Sequence, residues 1–415
     1  MADSLKNNSC KKILFVSGSV GLDHVTRDLA ITDEIRRQNP LVDIYWLAGE
    51  PATKVLQERG ENLVKEAETY SNESQSIEKA TQNFRLNPLK FILNLQKSWK
   101  QNSQLFKRTT DNFSYDLVIG DEAYEISLFL GSNPQLKDFP FVMIYDFIGL
   151  DAISSNPLEK VAVFLINKAW VSKLIKRNVK KAIEDVTVFV GEPEDIPDKP
   201  FGWFLPNRRK LALSYCKFAG YVLPFEVDSL LEEGAKKAMR RKLGFGEKEL
   251  LIVASMGGTA AGEKLLELCS EAFDLLKARE PNSRMIIVGG PRFQGETFAP
   301  TDRKEIKSFV PNLYEYFAAC DLAIVQGGGT TTLELTALKK PFIYFPLEGH
   351  FEQEVLVEHR LKRHKAGYRM RYSEATPEKL QEKILEKLKC KDDISYVDID
   401  TEGAKRTAQL INELL

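Results

Sequence analysis

The feature that most constrains this chain is an alternation of short β-rich apolar runs and longer amphipathic stretches, and it runs through twice. In the first pass Ile13–Ser17 reads as a strand, Asp23–Gln38 as a helix and Val42–Ala48 as a strand again. Asp116–Ile119 and Phe141–Tyr145 are further apolar runs, with Asp121 and Asp146 at their ends. Thr187–Val190 and Phe218–Ala219 close the pass. The pattern then restarts with a strand at Leu250–Ser255. Gly262–Arg279 carries Leu265, Leu266, Leu268, Cys269, Ala272, Phe273, Leu275 and Leu276 at helical spacing. Met285–Val288, Leu322–Val325 and Pro341–Phe345 read as strands.

Strands joined by helices need crossover connections, which make parallel sheets with helices on both faces. At 415 residues the chain is too long for one ordinary core. The expected fold class is therefore α/β, with two Rossmann-like doubly wound domains facing each other across a cleft. The ligand is expected at the carboxyl ends of the strands. The boundaries read as an N-terminal domain over 1–225, a linker over 226–246, a C-terminal domain over 247–390, and a final helix in 391–415 packing back toward the first domain.

Composition removes several classes of function. The 58 basic and 59 acidic residues leave a formal net charge of -1, so no bulk field attracts nucleic acid. The five cysteines are scattered, odd in number and without CxxC spacing, which argues against a disulfide framework or a zinc site. The apolar run ILFV near the start is short and is followed at once by serine and glycine, so it reads as a strand rather than a signal peptide. No stretch approaches the ~18 apolar residues that a membrane span needs. A cytoplasmic protein is expected.

Peripheral membrane contact is a live expectation through two basic amphipathic segments. Phe91–Phe113 mixes Phe91, Leu95, Trp99 and Phe106 with Lys97, Lys100, Lys107 and Arg108, and 161–183 mixes Phe164, Trp170 and Leu174 with Lys173, Lys176, Arg177 and Lys181. A core-facing stripe with a solvated basic face is the plainer reading of both.

Two glycine-rich turns carry most of the functional signal. Ser255-Met256-Gly257-Gly258-Thr259 follows a strand and precedes a helix, where glycines let the backbone approach an anion. Gln326-Gly327-Gly328-Gly329-Thr330-Thr331-Thr332-Leu333-Glu334 follows the strand Leu322–Val325 and makes a stronger anion nest. Glu334, one turn into the next helix, suits a ribose diol. It also fits a capping box with Thr331. Neither turn is a Walker loop or a GxGxxG fingerprint.

These residues resemble a family. Phe309-Val310-Pro311-Asn312-Leu313, Ala318-Ala319-Cys320-Asp321-Leu322, GGGTTTLEL, Pro341–Pro346 and Gly349-His350-Phe351-Glu352-Gln353 are similar, in order and spacing, to the donor-binding domain of inverting GT-B glycosyltransferases. The closest likeness is to the peptidoglycan N-acetylglucosaminyltransferase type, with its family 28 C-terminal domain. The resemblance implies a nucleotide-sugar donor, UDP-linked, and no other cofactor. It implies that Phe309 and Val310 hold the base and that Gly328, Gly329 and Thr330 face the diphosphate. It further implies Glu334 on the ribose, and Glu352 and Gln353 on the donor sugar. Gly257, Gly258 and Thr259 join the donor site as the second glycine turn. The family often has histidine or arginine where this chain has Gln326; Arg292 is a candidate to supply the missing contact.

In the N-terminal half, Gly18 through Arg27 is similar to the G-H-x-x-R turn of several GT-B proteins, with Asp23 replacing the glycine before the histidine. Inverting transfer needs a base for the acceptor hydroxyl, and the imidazole of His24, in the loop at a strand's carboxyl end, suits that work. Asp121 is the candidate to orient it, with Glu122 second. His350 is a candidate donor contact. No dense carboxylate or histidine cluster in the sequence suggests a metal. The acceptor is unknown, with a lipid-linked one open. A nucleotide-sugar hydrolase of the same fold, or a donor-binding subunit needing a membrane partner, are the alternative readings.

Overall fold

Two parallel sheets form, each in the strand order that its helical crossovers dictate. A computed structural model describes residues 10–18, 22–71, 79–82, 84–176, 183–256, 262–290, 300–308, 310–390 and 394–415. The chain divides into two compact units: Met1–Glu73, Ile92–Pro224 and Asp400–Leu415 make the first, and Ser74–Phe91 with Phe225–Ile399 the second.

The seven-stranded sheet of the first unit runs Asn62–Leu63, Val42–Leu47, Lys11–Val16, Leu117–Asp121, Phe141–Tyr145, Val186–Phe189, Lys217–Phe218. All neighbours in it are parallel. Direction of winding reverses at Lys11–Val16 and Leu117–Asp121, so a crevice opens beyond their carboxyl ends. The two-residue period of a strand sends alternate side chains to opposite faces. Ile13, Phe15, Ile119 and Ile144 meet Val25, Ile31 and Ile35 of helix Asp23–Gln38, together with Ala408 and Ile411 of the C-terminal helix Gly403–Asn412. Leu14, Val16, Val118 and Met143 meet Leu105 and Phe106 of helix Pro88–Asn112 and Val171 of helix Pro157–Lys176.

The six-stranded sheet of the second unit runs Lys304–Lys307, Ser283–Val288, Leu250–Ser255, Leu322–Gln326, Phe342–Phe345, Tyr368–Arg369, again all parallel. Its reversal lies between Leu250–Ser255 and Leu322–Gln326. Helix Glu263–Arg279 buries Leu265, Leu266, Cys269, Phe273 and Leu276. Residues 226–246 hold two short helices, Val227–Leu231 and Ala235–Leu243, whose Leu230, Met239 and Leu243 pack on the second core. A hairpin of Thr81–Gln82 and Arg85–Leu86 belongs to this unit, although the helix that follows it, Pro88–Asn112, belongs to the first unit from Ile92 on. Leu86 donates its N–H to the Glu348 carbonyl at 2.7 Å, and Phe84 packs its ring on Tyr372.

Among the described residues no helix is long and apolar enough to cross a membrane. Of the basic segment 161–183, residues 177–182 and the side chains of Lys173–Lys176 lie outside the described residues, as do the side chains of Phe91, Leu95 and Lys97 in the other segment.

One buried ion pair ties the second unit together. Arg240 donates to Asp321 at 2.6 Å and to the carbonyls of Ala319, Glu247 and Glu249, while Asp321 also accepts from Lys236 and from the Leu251 amide. Removing one partner of such a pair leaves an uncompensated buried charge. Asp321→Ala is expected to destabilise the second unit by about 3 kcal/mol in urea unfolding; a loss within experimental error of zero would mean that Arg240 is satisfied by its carbonyls alone.

Candidate functional site

The first cluster of interest lies at the switch point of the first sheet. A Cβ on Gly18 would stand 3.0 Å from His24 Nδ1 and 3.0 Å from the Asp121 carbonyl, so glycine is what lets the turn pass this close. His24 sits in the first turn of helix Asp23–Gln38, one step further along than the loop position read from sequence. Its Nδ1 donates to Asp121 Oδ2 at 2.7 Å.

Arg27, three residues on, shares that helix face. Its Nη2 reaches Asp121 Oδ1 and Oδ2 at 2.6 and 2.7 Å, and its Nη1 reaches Asp146 Oδ2 at 2.9 Å. Arg27 Nη2 also stands 2.9 Å from His24 Nδ1. Both nitrogens are donors in the charged state, so they share Asp121 as acceptor rather than bond each other. Asp121 is fully buried, and His24 nearly so.

Glu122 turns the chain out of the strand with φ 48, an uncommon conformation for a residue with a side chain. Its Oε2 stands 3.8 Å from His24 Nε2, and its Oε1 accepts from the Tyr124 hydroxyl at 3.0 Å. The sequence reading placed Glu122 second to Asp121 as orienting group. The structure puts Asp121 on Nδ1 and Glu122 near the opposite nitrogen.

The charges are strongly coupled. Burial by itself favours a neutral imidazole, but the charge and hydrogen bond of Asp121 outweigh it and lift the His24 pKa to about 9. Burial also works to raise the Asp121 pKa, and the cations Arg27 and His24 overcome it and hold the carboxyl below its usual range. Glu122 is pushed well up, first by burial and then by the charge of Asp146.

Ligand atoms of His24, Glu122 and Asp146 all lie within 4.8 Å of one another. The scattered positions of these residues in the sequence did not suggest such a cluster. Arg27 already bonds Asp146 there and brings the positive charge that a metal ion would supply.

The second cluster lies at the switch point of the second sheet. A Cβ on Gly327 would stand 3.0 Å from Pro346 Cα, a close backbone approach, and Gly328 caps helix Gly329–Ala337. The expected capping box is overturned: the helix starts two residues before Thr331, so Thr331 and Glu334 lie inside it, and the cap residue has no side chain to offer. Gly328, Gly329 and Thr330 thus form the helix entry, where the first N–H groups lack intrahelical acceptors and the dipole is positive. Glu334 lies further along the same helix and is buried.

Glu352 and Gln353 open a π-helical turn, Glu352–Val357, a form often found at functional sites. A Cβ on Gly329 would stand 3.1 Å from Glu352 Oε1, so this carboxylate lies over the glycine turn. Gln353 Oε1 accepts from Gln326 Nε2 at 3.3 Å and from the Leu347 amide at 2.8 Å. Burial pushes His350 down to about 4, so that ring is neutral at physiological pH.

Sequence reasoning missed Arg360. Its Nη2 donates to the Gly329 carbonyl at 2.6 Å, which places a cation at the helix entry. The signal was available: Arg360 stands seven residues after Gln353, two turns along. Gly257, Gly258, Thr259, Arg292 and Phe309 lie outside the described residues, and Val310 is buried in the second core.

Residues 252–413 match the model of the "Glycosyltransferase family 28 C-terminal domain". An uncharacterised glycosyltransferase of Methanopyrus kandleri is 26% identical over 177 residues, covering 42% of this chain and 48% of that one. The UDP-N-acetylglucosamine–N-acetylmuramyl-(pentapeptide) pyrophosphoryl-undecaprenol N-acetylglucosamine transferase of Thermoanaerobacter sp. (strain X514) is 24% identical over 386 residues, 90% of each chain. The chain spans less than half the length of the first curated relatives it matches, between 41% and 48%. Among solved structures, the glycotransferase of kitacinnamycin superposes with a TM-score of 0.60 over 97% of this chain and 99% of that one, at 13% identity.

His24 is expected to titrate near 9 in an NMR pH series, assigned with His24→Gln. Asp121→Asn should bring its midpoint well below 9, because burial and the charge of Arg27 then work against Asp146 alone. A raised folded-state pKa gives stability that is complete below 6.5 and lost as pH rises through about 9. An unmoved midpoint in the variant would show that Asp121 does not set the charge of the ring.

The chain thus has the GT-B fold of these glycosyltransferases, and its residues 252–413 are similar to the glycosyltransferase family 28 C-terminal domain.

Proposed function

We propose that this protein is a glycosyltransferase that moves a sugar from a nucleoside diphosphate donor, UDP-linked, to an acceptor hydroxyl, with inversion and without a metal ion. One observation carries the reading. The Gly327–Gly329 turn sits at the switch point of the second sheet, within the stretch similar to the family 28 domain, and opens into a helix entry beside the Arg360 guanidinium. Amides, dipole and guanidinium together suit a diphosphate and its developing charge.

Roles follow for the other groups. Gly328, Gly329 and Thr330 take the diphosphate, with Gly257, Gly258 and Thr259 as the companion turn. Phe309 and Val310 hold the base through their backbone, and Glu334 takes the ribose diol. Glu352 accepts from the sugar hydroxyls. Gln353 has its Oε1 engaged by Gln326 and Leu347, so its Nε2 is the group it offers to the sugar. The acceptor is a lipid-linked saccharide, the kind of molecule printed in the names of the peptidoglycan-type relatives.

In the transfer, the acceptor oxygen bonds to the anomeric carbon as the carbon–phosphate oxygen bond breaks, and the diphosphate leaves with the electron pair. The acceptor proton passes to His24 Nε2, while Asp121 holds Nδ1–H and stabilises the imidazolium formed. A ring with a pKa near 9 is a strong base, but only about one part in a hundred is neutral at pH 7. Turnover is therefore expected to climb with pH toward 9 and to fall ~100-fold or more in His24→Ala, with donor binding unchanged.

Calorimetry against UDP, dTDP, GDP, UDP-glucose and UDP-N-acetylglucosamine tests the donor side. Selective binding of one diphosphate series, weakened at least ~10-fold in Glu334→Ala, is expected. No binding to any member by the folded protein would leave the glycine turn purely structural and end the proposal. Release of free sugar in the absence of any acceptor would replace transfer by hydrolysis.

A further inference from the structure

Ser74–Phe91 belongs to the second unit, although the chain on both sides of it belongs to the first. What this excursion lays down there is the hairpin of Thr81–Gln82 and Arg85–Leu86, closed by the Asn87 amide donating to the Ala80 carbonyl at 2.9 Å. An isolated two-stranded hairpin is marginal in water, so this one depends on what it grips.

It grips the loop that leads to Glu352 and Gln353. Leu86 donates its N–H to the Glu348 carbonyl at 2.7 Å, and the Glu348 amide donates in return to the Phe84 carbonyl at 3.2 Å, so that Arg85 and Glu348 pair as a parallel bridge. The Glu348 side chain accepts from the Ser373 amide at 3.0 Å. Gly349 has φ 83, and a Cβ there would stand 2.4 Å from the Leu86 carbonyl oxygen. Only glycine lets the hairpin come this close.

Phe84 is the anchor. It adopts φ 58, a left-handed conformation that glycine accepts freely and a bulky side chain disfavours. Its side chain is only 2% exposed, and its ring centroid lies 5.0 Å from that of Tyr372, the neighbour of Ser373. Ring contact and Glu348 side chain thus close on the same segment, and the strain at Phe84 is retained where a ring is needed.

The grip reaches the groups that take the donor sugar in the proposed function. The Gly349 amide donates to the Glu354 carboxylate at 2.8 Å, the Glu354 amide donates to the His350 carbonyl at 2.9 Å, and Gln353 Oε1 accepts from the Leu347 amide at 2.8 Å. Loop 347–350 and the turn Glu352–Val357 therefore move as one piece. The diphosphate turn has its own supports, Gly327 against Pro346 and Arg360 on the Gly329 carbonyl.

We infer that the hairpin is a positioning element for the sugar half of the donor site, with Phe84, Leu86, Gly349 and Tyr372 as its positioning residues. By fixing loop 347–350 it sets the places of Glu352 and Gln353 before the donor arrives, which lowers the ordering cost of binding the sugar. The inference rests on the reading of a nucleotide-sugar donor.

The test is calorimetry of the full chain with UDP and with UDP-N-acetylglucosamine, beside amide hydrogen exchange. Phe84→Gly removes the anchor ring, and Gly349→Ala drives a Cβ into Leu86. Each is expected to bind UDP within about twofold of wild type and UDP-N-acetylglucosamine at least ~10-fold more weakly. Tyr372→Phe, which keeps the ring, should match wild type. In Phe84→Gly and Gly349→Ala the Leu86 and Glu348 amides should exchange at least ~10-fold faster, with protection of the core strand Leu250–Ser255 unchanged. Equal weakening of both ligands, or lost protection in that strand, would assign the hairpin to folding and overturn the inference. So would faster exchange with unchanged binding of UDP-N-acetylglucosamine, or unchanged exchange in both variants. A wild-type chain that binds neither ligand would end the donor reading itself, and the inference with it, before any variant is compared.

Discussion

Asp121 is the group on which the first site depends. A carboxylate with no exposure is costly unless cations and hydrogen bonds compensate it. Here Arg27 binds both of its oxygens and His24 binds one. The same carboxylate fixes which nitrogen of His24 carries the inner proton, and so leaves Nε2 as the nitrogen for the proposed proton transfer. Arg27 extends the arrangement to Asp146, so the ends of two adjacent strands are tied to helix Asp23–Gln38 by one guanidinium. Gly18 is what admits the imidazole to this position.

The second unit repeats the topology with the opposite electrostatics. Among the described residues its switch point carries no cluster of carboxylates against a histidine; it offers a glycine turn, a helix entry and Arg360. In the proposed function, one sheet ends in the group that handles the proton and the other in the groups that hold the anion. The proposed reaction needs both functions, because a diphosphate must leave as a hydroxyl gives up its proton. The same fold supplies each at the same topological place, where strand order reverses and side chains from neighbouring strands converge.

Much of this was legible in the sequence, for physical reasons. The strands are apolar on both faces, so they stand out as runs, and Phe141–Tyr145 and Leu250–Ser255 are read to the residue. The two-residue strands Asn62–Leu63 and Tyr368–Arg369 are too short to show a period. His24 and Asp121 could be paired because both follow strand ends, which topology brings together. The convergence of Glu122 and Asp146 on the same imidazole depends on a left-handed backbone at Glu122, and no residue type signals that. The capping box failed because the helix already begins at Gly329, where glycine rather than threonine takes the cap.

The most direct measurement of the central claim is NMR of a donor labelled with carbon-13 at the anomeric position, incubated with the protein and a polyprenyl-diphosphate saccharide. The account predicts that the anomeric signal moves to a glycoside of opposite configuration, only when acceptor is present, and at unchanged rate in the presence of a chelator. Retained configuration, free sugar formed without acceptor, or loss of the reaction on chelation would contradict it.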